Sequence, residues 1–307
     1  MEPESTVTTC YRHPKVECYV RCVRCDRYIC PDCMREASVG HQCPECVKEG
    51  ARSVRQARTV VGGKVSGTPV LTYVLVALNV LAYLVQLVRP EFQDRFAMLG
   101  ARLVGPDGAL YVFQEPYPAG FQAEGVAGGE WERLLTSGFL HLAPTEGTFG
   151  IAHIVMNMVA LWHLGRMLET QLGRARYLAL YLLATLGGSV AELLLAEPSA
   201  VFVGASGGLF GLGAAHYVMA RRFGGDMRGV NRDTALLLAW LLISAGLTSW
   251  QGHLGGLLAG GAVTAAYAFV PRGPRRTLLQ ATACTGLLVL LLLLTYGKVS
   301  QLTGGAI

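Results

Sequence analysis

Of the 307 residues, 52% are hydrophobic and 15% charged, with a mean hydropathy of +0.39; soluble domains carry about 25% charged residues, so an ordinary soluble globular protein is not expected. The net charge of +5 is small and scattered among loops, which argues against nucleic acid as a main partner. Charge and cysteine concentrate at one end instead: residues 1–68 hold 19 of the 47 charged side chains and eight of the nine cysteines.

The chain opens MEPESTVTTC, without the basic stretch and short apolar run of a cleaved signal peptide, so the first apolar span is expected to serve as the anchor. Four two-ligand knuckles follow: Cys10-x-x-His13, Cys22-x-x-Cys25, Cys30-x-x-Cys33 and Cys43-x-x-Cys46. Structural zinc takes four thiolate or imidazole ligands, so eight positions fit two ions. A segment this short has too little apolar core to fold on burial alone, and metal would supply the missing folding energy. A disulfide framework needs an oxidising compartment, whereas the orientation derived below is cytosolic, so zinc is favoured. Cys18 and His41 fall outside the pairs. The arrangement is similar to B-box and other cross-brace zinc modules, a resemblance that implies sharing of one ion by the first and third knuckles and of another by the second and fourth. Residues 1–50 are therefore expected to form a zinc-binding domain, structural or partner-recruiting, with a cytosolic protein as a candidate partner. Residues 51–68, with Arg52, Arg55, Arg58 and Lys64 and no acid, are expected as a basic juxtamembrane linker.

Apolar runs suited to helices cover 69–88, 150–168, 175–196, 206–220, 234–249, 253–270 and 278–296, several near the ~20 residues that cross hydrocarbon. With the amino terminus cytosolic, the inner loops and residues 1–68 carry 21 of the 26 Lys and Arg residues; the outer side keeps Arg89, Arg95, Arg102, Arg133 and Lys298. The positive-inside rule then gives amino terminus in and carboxyl terminus out, and a bacterial plasma membrane is the expected location. The external loop 89–149 is too long for a turn and is expected to be partly ordered. The segment 197–205 (EPSAVFVGA) is expected as non-helical backbone at membrane depth, which survives only inside protein or against a wet cavity.

Polar residues within the spans gather at one depth. His153 and Asn157, four apart, share a face at the outer start of the second span. Ser206 lies in Gly204-Ala205-Ser206-Gly207-Gly208 at the outer start of the fourth, where unpaired backbone amides favour a developing oxyanion. His253 opens the sixth within Gln251-Gly252-His253. Ser206 and His253 thus form a candidate nucleophile and base, with His153, the Asn157 amide and the Ser206 N–H as candidate oxyanion donors. Each residue alone has a packing explanation; their coincidence carries the reading. His216 on the Ser206 helix lies about 15 Å deeper and cannot be its base, His163 is likewise inward of His153, and His141 is the nearest competitor. Gly207 and Gly211, with Gly252, Gly256 and Gly260, would let the fourth and sixth helices approach closely.

Together His153-x-x-x-Asn157, Gly204-Ala205-Ser206-Gly207, Gly252-His253-x-x-Gly256-x-x-x-Gly260 and, in the outer loop, Trp131-x-Arg133 with Phe139-Leu140-His141 resemble the rhomboid family of intramembrane serine proteases over residues 69–270. The resemblance implies an all-α polytopic fold: a six-helix bundle open to water from outside, plus one carboxyl-terminal helix within residues 271–307, preceded by the zinc domain. It also implies a Ser/His dyad without a carboxylate, no catalytic cofactor, and transmembrane protein substrates cleaved within the lipid bilayer near the outer leaflet. Two positions depart from the family pattern: Phe210 where many relatives have tyrosine, and Glu132 between Trp131 and Arg133. The alternative is a non-catalytic rhomboid-like scaffold that binds client helices. A transporter is third, motivated by the spans alone.

Overall fold

The computed structural model describes residues 8–53, 57–114, 118–144, 150–244 and 249–304. The chain divides into two compact units, Met1–Ala57 and Arg58–Ile307.

In the first unit, β1 (Arg35–Glu36) pairs antiparallel with β2 (His41–Gln42), and α1 (Pro44–Ser53) follows. Gly40, at φ +65°, makes the turn between the strands. The buried interior consists of seven cysteines and Ile29. Hydrocarbon burial on that scale cannot order a domain of this size.

The second unit starts with α2 (Val70–Val88) and α3 (Glu91–Phe96). The connection between α3 and α5 then builds β3 (Met98–Leu99), β4 (Arg102–Val104), β5 (Leu110–Tyr111), β6 (Gln122–Glu124) and α4 (Arg133–Thr136). Next come α5 (Gly150–Leu172), α6 (Arg174–Leu195), β7 (Val201–Phe202), α7 (Ser206–Phe223), α8 (Met227–Ser244), α9 (Trp250–Phe269) and α10 (Arg276–Leu302). The seven long helices among the described residues fall where the apolar runs place them, though the end of the expected fifth span lies partly outside the described residues. By length and composition four of them, α2, α5, α6 and α10, can cross a membrane. Of the other three, α7 and α9 are rich in glycine, and α8 carries Arg228, Arg232 and Asp233 near its start.

Those glycines set the packing. A methyl group on Gly256 would fall on the Gly207 carbonyl, one on Gly260 on the Gly211 backbone, and one on Gly187 of α6 on the Ala259 methyl. So α6, α7 and α9 meet backbone to backbone, as small residues permit in membranes. Leu161, Leu168, Tyr177, Tyr181, Leu212 and Tyr267 fill the core beneath this contact.

Arg133 ties distant parts of the connection between α3 and α5 together. Arg133, 1% exposed, donates to the Asp94 and Ala97 carbonyls at 2.7 and 2.9 Å and to the Glu130 carboxylate at 2.7 Å. A buried guanidinium is tolerable only when its fixed fork of donors is met in this way. Glu132, inserted beside it, turns outward to Arg95. The loop reaches the bundle through β3, which pairs antiparallel with β7 in the register Met98↔Phe202 and Leu99↔Val201. That ladder anchors the non-helical run between α6 and α7 that leads into Ser206.

Residues 58–64, expected within a basic linker, instead pack on the bundle. Val61 is fully buried, and its carbonyl and that of Val60 accept bonds from Gln280 and Arg276 of α10.

Candidate active site

Ser206 is the first residue of α7, and the chain must turn sharply to place it there. Gly204 takes φ +140°, a conformation L side chains rarely adopt, and its N–H bonds the Ser137 carbonyl at 3.0 Å. A Cβ on Gly204 would stand 3.0 Å from the His153 ring. Ser206 and Gly207, in the first turn of α7 where backbone amides lack intrahelical partners, line a cavity of about 650 Å³.

His253 enters from the start of α9. Its Nε2 lies 2.8 Å from Ser206 Oγ, a hydrogen bond of good length between hydroxyl and imidazole. The ring is buried at 3% exposure and stacks face to face on Phe210 one turn after Ser206, with centroids 4.3 Å apart and planes 11° apart. Phenylalanine thus supplies the stacking surface.

His153 has a defined tautomer. The Leu142 N–H donates to its Nδ1 at 3.3 Å, so in the neutral ring Nε2 carries the proton, on the side facing Gly204 and Ser206. Asn157 donates one amide N–H to the His153 carbonyl at 2.7 Å and leaves its buried Oδ1 without a partner. Ser206, His253, His153 and Asn157 all line a second, narrower cavity of about 160 Å³, closed on one side by Leu237 and Trp240 of α8. The four residues singled out from sequence are therefore gathered at one place.

The remaining bundle histidines make other contacts, although the His141 ring lies beside that of His153, with centroids 5.1 Å apart. His141 Nε2 bonds Asn79 of α2 at 3.1 Å, and its backbone is bracketed by Gln86. Burial, and secondarily the neighbouring His153, push its ring down to about 3, so it is held neutral. His163 and His216 line a separate cavity with Asp226 and Asp233.

A rhomboid-domain family model matches residues 128–270, which contain all four site residues. The chain is 36% identical over 143 residues to the rhomboid protease GluP of Bacillus subtilis, covering 44% of this chain and 26% of that protein. Over 141 residues it is 31% identical to YdcA, a second Bacillus subtilis protein named for the rhomboids, covering 44% of this chain and 67% of that one. RHOMBOID-like protein 6, mitochondrial, of Arabidopsis thaliana is 36% identical over 143 residues, 44% of this chain and 43% of that one. The chain belongs to the rhomboid family. This rhomboid spans about a quarter of the length of GluP, and with its apolar helices it is an integral membrane protein.

Two features beside the dyad escaped the sequence reading. Glu192 of α6 and Ser249, which precedes α9, both line the large cavity of this rhomboid and are joined by a 2.5 Å hydrogen bond. A carboxylate inside an apolar run was the available signal.

In the first unit the eight knuckle residues form two groups, Cys10, His13, Cys30 and Cys33, and Cys22, Cys25, Cys43 and Cys46, each with ligand atoms within 4.8 Å of one another. Knuckles one and three, and two and four, are thus together. The Cys25 and Cys43 sulfurs are 3.8 Å apart, and His13 Nδ1 is 3.1, 3.6 and 4.0 Å from those of Cys30, Cys33 and Cys10. Tetrahedral zinc with ordinary bond lengths has edges of ~3.8 Å between sulfurs and ~3.6 Å between sulfur and nitrogen, so both groups fit a metal ion. The Cys43 N–H donates to Cys22 Sγ, a bond that favours the thiolate there, and the Cys46 N–H donates to Cys43 Sγ. Cys18 and His41 belong to neither group.

Proposed function

We propose that this rhomboid is an intramembrane serine endopeptidase that hydrolyses peptide bonds in or near the transmembrane segments of membrane proteins. The observation carrying the reading is the 2.8 Å bond between Ser206 Oγ and His253 Nε2. Imidazole accepts the hydroxyl proton as Oγ attacks the carbonyl carbon, then gives it to the departing amine; water hydrolyses the resulting ester by the same exchange. His153 Nε2–H, the Ser206 N–H and the second amide hydrogen of Asn157 serve as oxyanion donors, each worth on the order of 3 kcal/mol by analogy with other acyl-transfer sites. Charge distribution supports a cytosolic amino terminus and an external carboxyl terminus.

For residues 1–50 we infer two structural zinc ions, one in each ligand group. With four ligands apiece, the groups leave no open position for catalysis, and metal there would order the unit and present it to a cytosolic partner. The core is assigned to 69–270 and the additional helix to 271–307.

The test is cleavage of a transmembrane substrate by the purified protein in detergent, beside Ser206→Ala and His253→Ala. Both variants are expected to lose cleavage, and Ser206→Ala to lose fluorophosphonate labelling; full activity in either would defeat the assignment.

A further inference from the structure

Besides the dyad, the large cavity holds a carboxylate on α6, and its contacts run to the helix that carries the base. Ser249 caps α9: its Oγ accepts the Gly252 N–H at 3.0 Å and its carbonyl accepts the His253 N–H at 3.3 Å. The same Oγ lies 2.5 Å from Glu192 Oε1. A hydroxyl has one proton, and giving it to the carboxylate leaves the lone pairs for Gly252, so both contacts are satisfied together. Gly252 makes room for this, because a Cβ there would collide with Glu192 Oε1 and stand 2.9 Å from Ser249 Oγ.

Resting on the protease reading, we propose that Glu192 and Ser249 form a positioning latch that ties the first turn of α9 to α6 and so sets the height of His253 against Ser206. The bond is needed because the helices meet through glycines. Backbone contacts at Gly187, Gly207, Gly255 and Gly256 allow close approach, and the only side chains they meet there, the Ala191 and Ala259 methyls, are small and form no directional bond to fix α9 along its axis. Ser249 lies four residues before His253, so the tie acts within one helical turn of the base. A displacement of about 1 Å there lengthens a 2.8 Å bond beyond useful proton transfer. Glu192 acts through Ser249 and touches no reacting atom.

The experiment measures kcat, KM and the rate of fluorophosphonate labelling of Ser206 in the full chain for Glu192→Ala, Ser249→Ala and their double variant, with Glu192→Gln and Ser249→Thr as conservative partners. The alanine variants are expected to lower kcat and labelling by about 10- to 100-fold with KM little changed. The double variant should be no worse than the weaker single, as befits one unit. Gln retains an acceptor oxygen and Thr a hydroxyl, so both should restore most of the rate. A raised KM with unchanged labelling in Glu192→Ala would overturn the latch in favour of a substrate contact. So would a loss that merely follows the unfolded fraction in thermal melts, or full activity in both alanine variants. Each of these leaves the protease reading standing, which fails only if Ser206→Ala or His253→Ala still cleaves.

Discussion

At single residues, geometry is most restrictive at Gly204, Phe210 and His141. Any side chain at 204 forces a left-handed conformation worth about 1–3 kcal/mol of strain and presses on the His153 ring. Gly204→Ala is therefore expected to lose fluorophosphonate labelling while keeping its helix content by circular dichroism. Phe210 contributes a face and no polar atom, so Phe210→Tyr should remain within a few-fold of the parent rate and Phe210→Ala should fall by roughly tenfold, the scale of an aromatic pair of 0.5–1.5 kcal/mol. His141 gives a pH dependence. Its pKa is about 3 in the folded protein against an ordinary 6.5, so the unfolded chain binds the extra proton first. Above 6.5 both states are neutral and the group contributes nothing; as pH falls from 6.5 towards 3 it increasingly favours unfolding. Thermal midpoints should fall across that window, and His141→Gln should remove about one proton from the slope. An unaltered slope would show that other groups govern the acid limb.

Elements in this bundle are finished by residues far away in sequence, which is why some features were legible and others were not. The seven long helices follow from apolar runs, and Ser206 and His253 could be read because each sits among glycines at a helix start. The end of α2 could not. Its cap, Pro69, offers no side-chain bond, and the orphan N–H groups of Leu71 and Thr72 are met at 3.1 and 2.8 Å by the fully buried carboxylate of Glu169 on α5. Nothing within a local window announces a cap from 97 residues away. Replacing Glu169 by alanine leaves those donors buried and unpaired and should cost about 1–3 kcal/mol, seen as a lower melting midpoint. Val61 was hidden for a similar reason: a short Val-Val-Gly-Gly stretch reads as linker until α10 supplies Arg276 and Gln280 to hold its carbonyls. The tie between Glu192 and Ser249 likewise needs two helices in register before it exists.

Across the whole molecule, two solvents impose two ways of folding. The unit from Arg58 onward buries leucine, tyrosine and glycine contacts inside a helical bundle, while the unit up to Ala57 buries seven cysteines and one isoleucine. Only the unit from Arg58 onward has a core that water and lipid can sustain unaided. Stripping metal with a strong chelator should therefore act on one unit and spare the other. Backbone amides of residues 8–53 should lose hydrogen-exchange protection, because ligand-bound metal is the main source of order there. Protection in α6, α7 and α9 should persist, because no metal-binding group among the described residues lies in the bundle. Elemental analysis before treatment should find two zinc ions per chain. Protection of residues 8–53 that survives complete metal removal would mean that the cysteine-lined interior holds by packing alone, and the inference of structural zinc would fall.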